Sequence, residues 1–301
     1  MKRVPWWGWV AGAAVVAVAF GAGVLLVSGG GPERPGPSLP DFGTETPSAT
    51  RSVDPDPGPL EPTQTMPVRV YLSRGEYLGV ASRTVPATTS AAEAAMAQLL
   101  LGPTAAEDGW GLATLIPAGT RLLGLSVSQG TARVDLSSEF VTGGGTHDAM
   151  LRLAQVVHTL TQFPAIERVL LLVEGNVVDV YSGEGIVFDG AQTRADFESV
   201  LPPLLVEGPT PGEQIASPIR VRGTGNTFEA SFMVRVLDDT GATVVEIPAM
   251  ATSGSGTRGT FDVSVTYPDS ARPAASVVVF EYSAQDGSEV NVIEIPVTMQ
   301  R

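Results

Sequence analysis

The chain has no cysteine and only two histidines among its 301 residues. Without cysteine there can be no disulfide, no thiol nucleophile, no Cys-ligated zinc and no lipid anchor attached through a thiol. A domain exported in this state must be held together by its core alone. Basic stretches are equally scarce. The net charge is −14 and no segment beyond Lys2 and Arg3 is positive, so nucleic acid is excluded as a partner and adhesion to anionic lipid is disfavoured. No G-x-S-x-G elbow, phosphate-binding loop or dinucleotide fingerprint occurs. The glycine-rich pieces Gly143 to Gly145, Gly183 to Gly185 and Gly254 to Gly256 read as turns.

The few groups that could carry chemistry are poorly placed for it. His147 and His158 fall on one predicted helix, about 16 Å apart along its axis at a rise of 1.5 Å per residue, too far to share a metal. His158 sits at the rim of the apolar stripe and is expected to be a packed or half-exposed structural residue. The carboxylate pairs Glu107-Asp108 and Asp238-Asp239 are sequence neighbours in predicted turns, and Asp238 and Asp239 lack the loop pattern of an EF-hand. No catalytic residue, metal ligand or cofactor site is assigned, and the first expectation is a non-enzymatic role. Trp110 is the one large aromatic in the long loop 103–120. It is expected either to lid the core or to contact a partner or glycan.

What is present falls into four parts. Residues 1–27 read as an N-terminal transmembrane anchor: 4–27 carry no charge, are long enough to span a bilayer, and follow Lys2 and Arg3, so the N-terminus should be cytoplasmic. The competing reading is a cleavable signal peptide, with small residues such as Ala17 and Ala19 as a cleavage site; on either reading everything later is extracytoplasmic. Residues 28–66 contain nine prolines and few large apolar side chains, the composition of a disordered tether reaching on the order of 100 Å at ~3.1 Å per residue. Residues 67–199 read as an α+β domain. Residues 207–301 read as an all-β sandwich of immunoglobulin-like type, with about seven short strands separated by Gly, Pro and Asp turns. Asp196 to Gly208, with Pro202-Pro203, reads as the junction.

Within the α+β part, Val68, Val70 and Leu72 alternate as a strand, and Tyr77 to Val85 suggest another. Ser90 with Glu93 predicts a capping box opening a helix that stops at Gly102-Pro103, and one helical turn is expected after Thr104. Arg121 to Ser128 and Thr131 to Ser137 predict a hairpin turning at Gln129-Gly130. The stretch Thr146 to Gly175 organises the rest. Thr146 is the expected cap of an amphipathic helix whose Met150, Leu153, Ala154, Val157 and Leu160 share one face, with Arg152, Gln155, Thr159 and Gln162 opposite. Pro164 stops it, and the apolar run Val169 to Val173 follows as a buried strand, turning at Gly175-Asn176. The order predicts two helices on one face of a mostly antiparallel sheet.

The runs LLLGPT (99–104), IPAGT (116–120), VDLSSEF (134–140) and VVHTLTQFPAIERVLLLVEG (156–175) together resemble the GerMN domain of sporulation and spore germination. SPIRVRGTGNTFEASFMVRVLDDTG (217–241) and GTFDVSV (259–265) resemble the immunoglobulin-like domain that accompanies it. The resemblance implies a non-enzymatic, extracytoplasmic scaffold or binding protein of the cell envelope. It also implies a topology similar to the ring-building motif of envelope assemblies, hence homo- or hetero-oligomers, with envelope proteins or peptidoglycan as partners. Many relatives are lipoproteins; this chain has no cysteine near Leu26 to Gly29, so the helix itself must anchor it. The alternatives from other classes are an accessory module of a membrane sensor kinase or transporter and, third, an enzyme acting on peptidoglycan.

Overall fold

The apolar alternation of Val68, Val70 and Leu72 produces strand β1 (Thr65–Arg74), which turns at Gly75 and pairs along its whole length with antiparallel β2 (Tyr77–Pro86). The structure, a computed structural model, describes residues 64–178, 180–181, 186–187, 190–268 and 272–299. The expected anchor 4–27, nearly all of the tether 28–66 and the turn Gly183 to Gly185 lie outside these residues. Among the described residues no helix is long and apolar enough to cross a membrane.

Helix α1 (Ala91–Leu100) begins after Ser90, but the Ser90 side chain makes no capping bond. The capping box expected there is absent, and α1 rests on its Ala, Leu and Met content and on the burial of Ala95, Met96 and Leu99. The box occurs one helix later. In α2 (Ala105–Gly109), Thr104 Oγ1 accepts from the Glu107 N–H at 3.3 Å and Glu107 Oε2 accepts from the Thr104 N–H at 2.7 Å. The same carboxylate receives Arg83 at 2.9 and 2.5 Å, and Arg83 also donates to the carbonyls of Gln98 and Gly102 at the end of α1. One buried ion pair thus joins β2, α1 and α2. Strand β3 (Leu112–Ala113) lies on the other edge of β1, opposite Ser73 and Arg74 only.

Strands β4 (Leu122–Ser128) and β5 (Thr131–Leu136) form the expected hairpin. Gln129 and Gly130 have φ of 49° and 74°, the pair of left-handed conformations that a two-residue type I′ turn needs. Helix α3 (Thr146–Leu160) then carries the chain to β6 (Arg168–Val173), which runs parallel to β5, and β7 (Asn176–Val177) pairs back antiparallel. The hairpin turn is Glu174-Gly175, one residue earlier than expected. The N-cap of α3 is Gly145, not Thr146. The sheet order β4-β5-β6-β7 is mixed, and β1, β2 and β3 make a separate sheet. That corrects the expectation of one mostly antiparallel sheet with two helices on a single face. A helix between β5 and β6 is long enough to return the chain to the same end, so the parallel pair is the natural outcome. Short strands β8 (Val180–Tyr181) and β9 (Ile186–Val187) pair with each other.

Every residue of α3 from Leu151 to Leu160 is buried, because the helix packs against both sheets and α1. Arg152, Gln155 and Thr159 are therefore not a solvent face, as the 3.6-residue period suggested. Arg152 donates to the carbonyls of Leu115, Phe140, Thr142 and Gly143, which fixes the Gly143 to Gly145 loop.

A 3-10 helix (Arg194–Val200) leads into the second domain. There β10 (Leu204–Gly208), β12 (Ile219–Gly225) and β15 (Gly259–Val265) form one sheet. The facing sheet has the order β14-β13-β16-β17, from β13 (Ser231–Asp238), β14 (Thr243–Met250), β16 (Ala274–Tyr282) and β17 (Glu289–Pro296). Between them β11 (Gln214–Ile215) pairs with β18 (Thr298–Met299). Val221, Val234, Val236, Val277 and Val279 fill the space between the sheets. This is an α+β domain followed by an immunoglobulin-like all-β domain, and the described residues cluster as one unit.

Candidate functional site

The segment that the sequence marks as a junction is itself a strand, and it belongs to both cores. Along β10, Leu204 and Val206 point into the sandwich core while Leu205 packs with Val200, Leu201 and Phe197 in the α+β core. Successive strand side chains face opposite sides, so a strand with two apolar faces can serve two layers at once. The next residue, Glu207, falls on the α+β side with Leu205.

Around Glu207 a polar network closes the boundary. The Tyr71 hydroxyl donates to Glu207 Oε1, Arg194 Nη1 donates to the same oxygen at 2.7 Å, and Arg194 Nη2 donates to the Tyr71 hydroxyl at 3.1 Å. Arg194 also reaches Thr161 Oγ1 at 2.8 Å and the His158 carbonyl at 3.3 Å, and Arg69 Nε donates to the Glu207 carbonyl at 2.9 Å. The guanidinium of Arg194 lies 5.3 Å from the centre of the Tyr71 ring. Burial pushes the Glu207 carboxyl up, but the Arg194 charge and the Tyr71 hydrogen bond outweigh it and hold Glu207 below the usual range. Burial, then the Glu207 charge, raises the Tyr71 phenol, which stays protonated as the donor.

His158 sits beside this network with its ring 5.3 Å from that of Tyr71 and only 1% exposed. It is fully packed, not at a rim. Among the described residues neither ring nitrogen has a hydrogen-bond partner. Burial, and then the nearby Arg194 and Arg258, push its pKa well below 6.5, so the ring is neutral. A general base must reach the proton it takes, and this imidazole is sealed from solvent. His147 is exposed and donates to the Glu76 carbonyl at 2.9 Å.

On the far side, Arg258 binds Glu198 at 2.7 Å and the Pro202 carbonyl at 2.8 Å, and Asn226 donates to Glu198 at 2.8 Å. Trp110 is half-buried with its ring against Gly212 of the second domain: a Cβ on Gly212 would lie 2.4 Å from Trp110 Cη2. The candidate contact residue thus touches a second domain within its own chain. The carboxylate pairs are taken up locally. Glu107 is in the Arg83 ion pair, Asp238 accepts three bonds from its own turn, and Asp239 pairs with Arg272 at 2.5 Å. Among the described residues no three His, Asp or Glu side chains converge as metal ligands would. Tyr71, Arg194 and Glu207 escape the sequence reading, in which Tyr71 is a strand position, Glu207 falls in the junction and Arg194 has no assigned role. The unbroken Leu204-Leu205-Val206 run after two prolines was the signal available.

Two family models match the two folded regions. Residues 63–179 match the family described as "Sporulation and spore germination", and residues 204–288 match the "Immunoglobulin-like domain of bacterial spore germination". No curated protein matches the chain. Among solved structures, the tandem GerMN domains of the sporulation protein GerM from Bacillus subtilis are similar at 17% identity and a TM-score of 0.39, over 67% of this chain and 62% of that one. The first GerMN domain of the same protein is similar at 24% identity and a TM-score of 0.36, over 44% of this chain and 99% of that one. The chain thus spans 62% of the tandem structure. Residues 63–179 are a sporulation and spore germination (GerMN) domain, and residues 204–288 are an immunoglobulin-like domain of bacterial spore germination.

Proposed function

We propose that this chain is a non-enzymatic component of the bacterial cell envelope. Residues 4–27 anchor it in the membrane with the N-terminus cytoplasmic, residues 28–66 tether the folded part, and the folded part acts outside the membrane as a scaffold, through contacts with envelope proteins or peptidoglycan. The observation that carries this reading is β10. A cleft that closes on a substrate needs a hinge, whereas a strand whose two faces lie in two cores resists bending between them. Such a unit is suited to presenting fixed surfaces. The network of Tyr71, Arg194 and Glu207 supports the same reading, since its charged groups are bonded to one another.

Crosslinking of the full-length chain in intact cells tests this. The expected result is a defined adduct with a second copy or an envelope component, together with no turnover of peptidoglycan fragments by the purified chain. Recovery of monomer alone, or turnover that a single carboxylate substitution abolishes, would contradict it.

A further inference from the structure

The sandwich domain presents an aromatic side chain to solvent on an unusually well-fixed backbone. Phe228 is 65% exposed. Its N–H donates to Glu281 Oε2 at 3.2 Å, the Glu229 N–H donates to Ser255 Oγ at 3.0 Å, and the Ala230 N–H donates to the Thr227 carbonyl at 3.2 Å. Glu229 and Ala230 have φ of 53° and 59°, left-handed conformations that residues with a Cβ adopt only at a free-energy cost. The loop packs so closely on Gly254 that a Cβ there would lie 2.4 Å from the Thr227 carbonyl oxygen. Folding therefore holds this turn in a strained shape, and the result is an outward Phe228.

Phe228 does not stand alone. Met250, 67% exposed, and Tyr282, 49% exposed, line one groove with it. Tyr282 is held in place by Glu246, which accepts its hydroxyl at 3.2 Å, and by an edge-on contact with Phe280. A fixed cluster of large apolar side chains in water is the pattern of a docking surface. The charge of the groove narrows what fits it. Glu229 is exposed at its rim and no Lys or Arg lines it, while Arg235 on the neighbouring strand is already paired with Glu246 and Glu289. Glu281 lies buried beneath, its oxygens taken by the Phe228 N–H and by Asn291 Nδ2 at 2.8 Å. Among the described residues Glu229 forms no ion pair. The acidic rim repels an anionic lipid surface, and a second copy of a chain of net charge −14 is a poor complement. Strand addition at the groove is disfavoured, because the edge strand β14 carries Pro248, which lacks an N–H, there.

We propose that Phe228, Met250 and Tyr282 form a preformed docking surface for a polypeptide segment that offers an exposed apolar side chain flanked by Lys or Arg. The apolar side chain enters the groove and a flanking cation meets Glu229 at its rim. This deepens the binding role proposed above by giving the partner a chemistry. If the surface fails while crosslinking still yields an adduct, only the surface is wrong.

The test uses the full-length chain in phosphatidylcholine nanodiscs and three probes. These are labelled peptides with a central Leu-Phe pair flanked by Lys, the same peptides flanked by Glu, and phosphatidylglycerol vesicles. The Lys-flanked peptide should bind, and Phe228→Ser should weaken it about tenfold or more with the melting temperature unchanged. Glu229→Lys should weaken the Lys-flanked peptide and favour the Glu-flanked one. Met250→Ser serves as a second truncation if Phe228→Ser does not fold. Equal affinity for both peptides, binding indifferent to both truncations, absence of peptide binding, or Phe228-dependent binding to the vesicles in place of the peptides would overturn the proposal.

Discussion

The side-chain amide of Gln162 bonds both backbone groups of Arg69: Oε1 accepts from its N–H at 2.8 Å and Nε2 donates to its carbonyl at 2.8 Å. Two residues along the strand, Thr159 Oγ1 accepts from the Tyr71 N–H at 3.1 Å and Gln155 Nε2 donates to the Tyr71 carbonyl at 3.3 Å. β3 covers the edge of β1 only at Ser73 and Arg74. Beyond it, polar side chains of α3 and of the turn that follows it stand in for the missing strand. Buried backbone groups must be paired, and here a helix does the pairing.

Gln162→Leu is expected to destabilise the α+β domain by about 1–3 kcal/mol, since it leaves a backbone donor and acceptor unsatisfied. Denaturant midpoints at constant slope measure this. An unchanged midpoint would show that the ladder is dispensable.

Leu205→Ala should lower stability by about 2–5 kcal/mol, the range for truncating a fully buried leucine. Its distinctive consequence is where the loss shows. Near-ultraviolet signals from both domains should shift to lower denaturant together.

Acid should weaken the junction through Glu207. Folding lowers the pKa of this carboxyl, so the unfolded chain takes up protons first as pH falls. The stabilisation is complete above the ordinary carboxylate range and is lost as pH drops through it. Glu207→Gln should therefore reduce stability at neutral pH and flatten the acid limb of the stability profile. A profile identical to that of the parent chain would remove Glu207 from the account.

His158 behaves with the same sign for a different reason. Its pKa is lowered by burial, and then by Arg194 and Arg258, so the unfolded state binds the extra proton below 6.5 and stability falls as pH drops from there. His158→Phe removes this dependence and two buried nitrogens without partners. The variant is expected to be at least as stable as the parent at pH 5, as measured by thermal melting.

Much of this fold is legible along the chain wherever local chemistry decides. Gln129-Gly130 specifies its hairpin, the Val-rich alternations specify the sandwich strands, and the residues quoted from 99 to 265 carry both domain resemblances. Legibility ends where one segment answers to two partners. Gln155, Thr159 and Gln162 read as a solvent face because polarity and helical period do not distinguish water from a strand edge. Leu204 to Glu207 read as linker because alternation cannot show that both faces of a strand are covered. Ser90 and Glu93 satisfy the capping pattern, yet Thr104 and Glu107 form the box, because Arg83 fixes the Glu107 carboxylate in place. The parallel pairing of β5 and β6 is likewise a matter of topology, not of any residue within either strand.

The central claim is that β10 makes the two folded domains one cooperative unit. Native-state hydrogen exchange of the full-length chain tests it most directly, by comparing core amides of β5 and β6 with those of β13 and β16. The account predicts that both sets open with the same free energy, and that Leu205→Ala lowers both by the same amount. Two distinct opening free energies, with only the α+β set responding to Leu205→Ala, would contradict it.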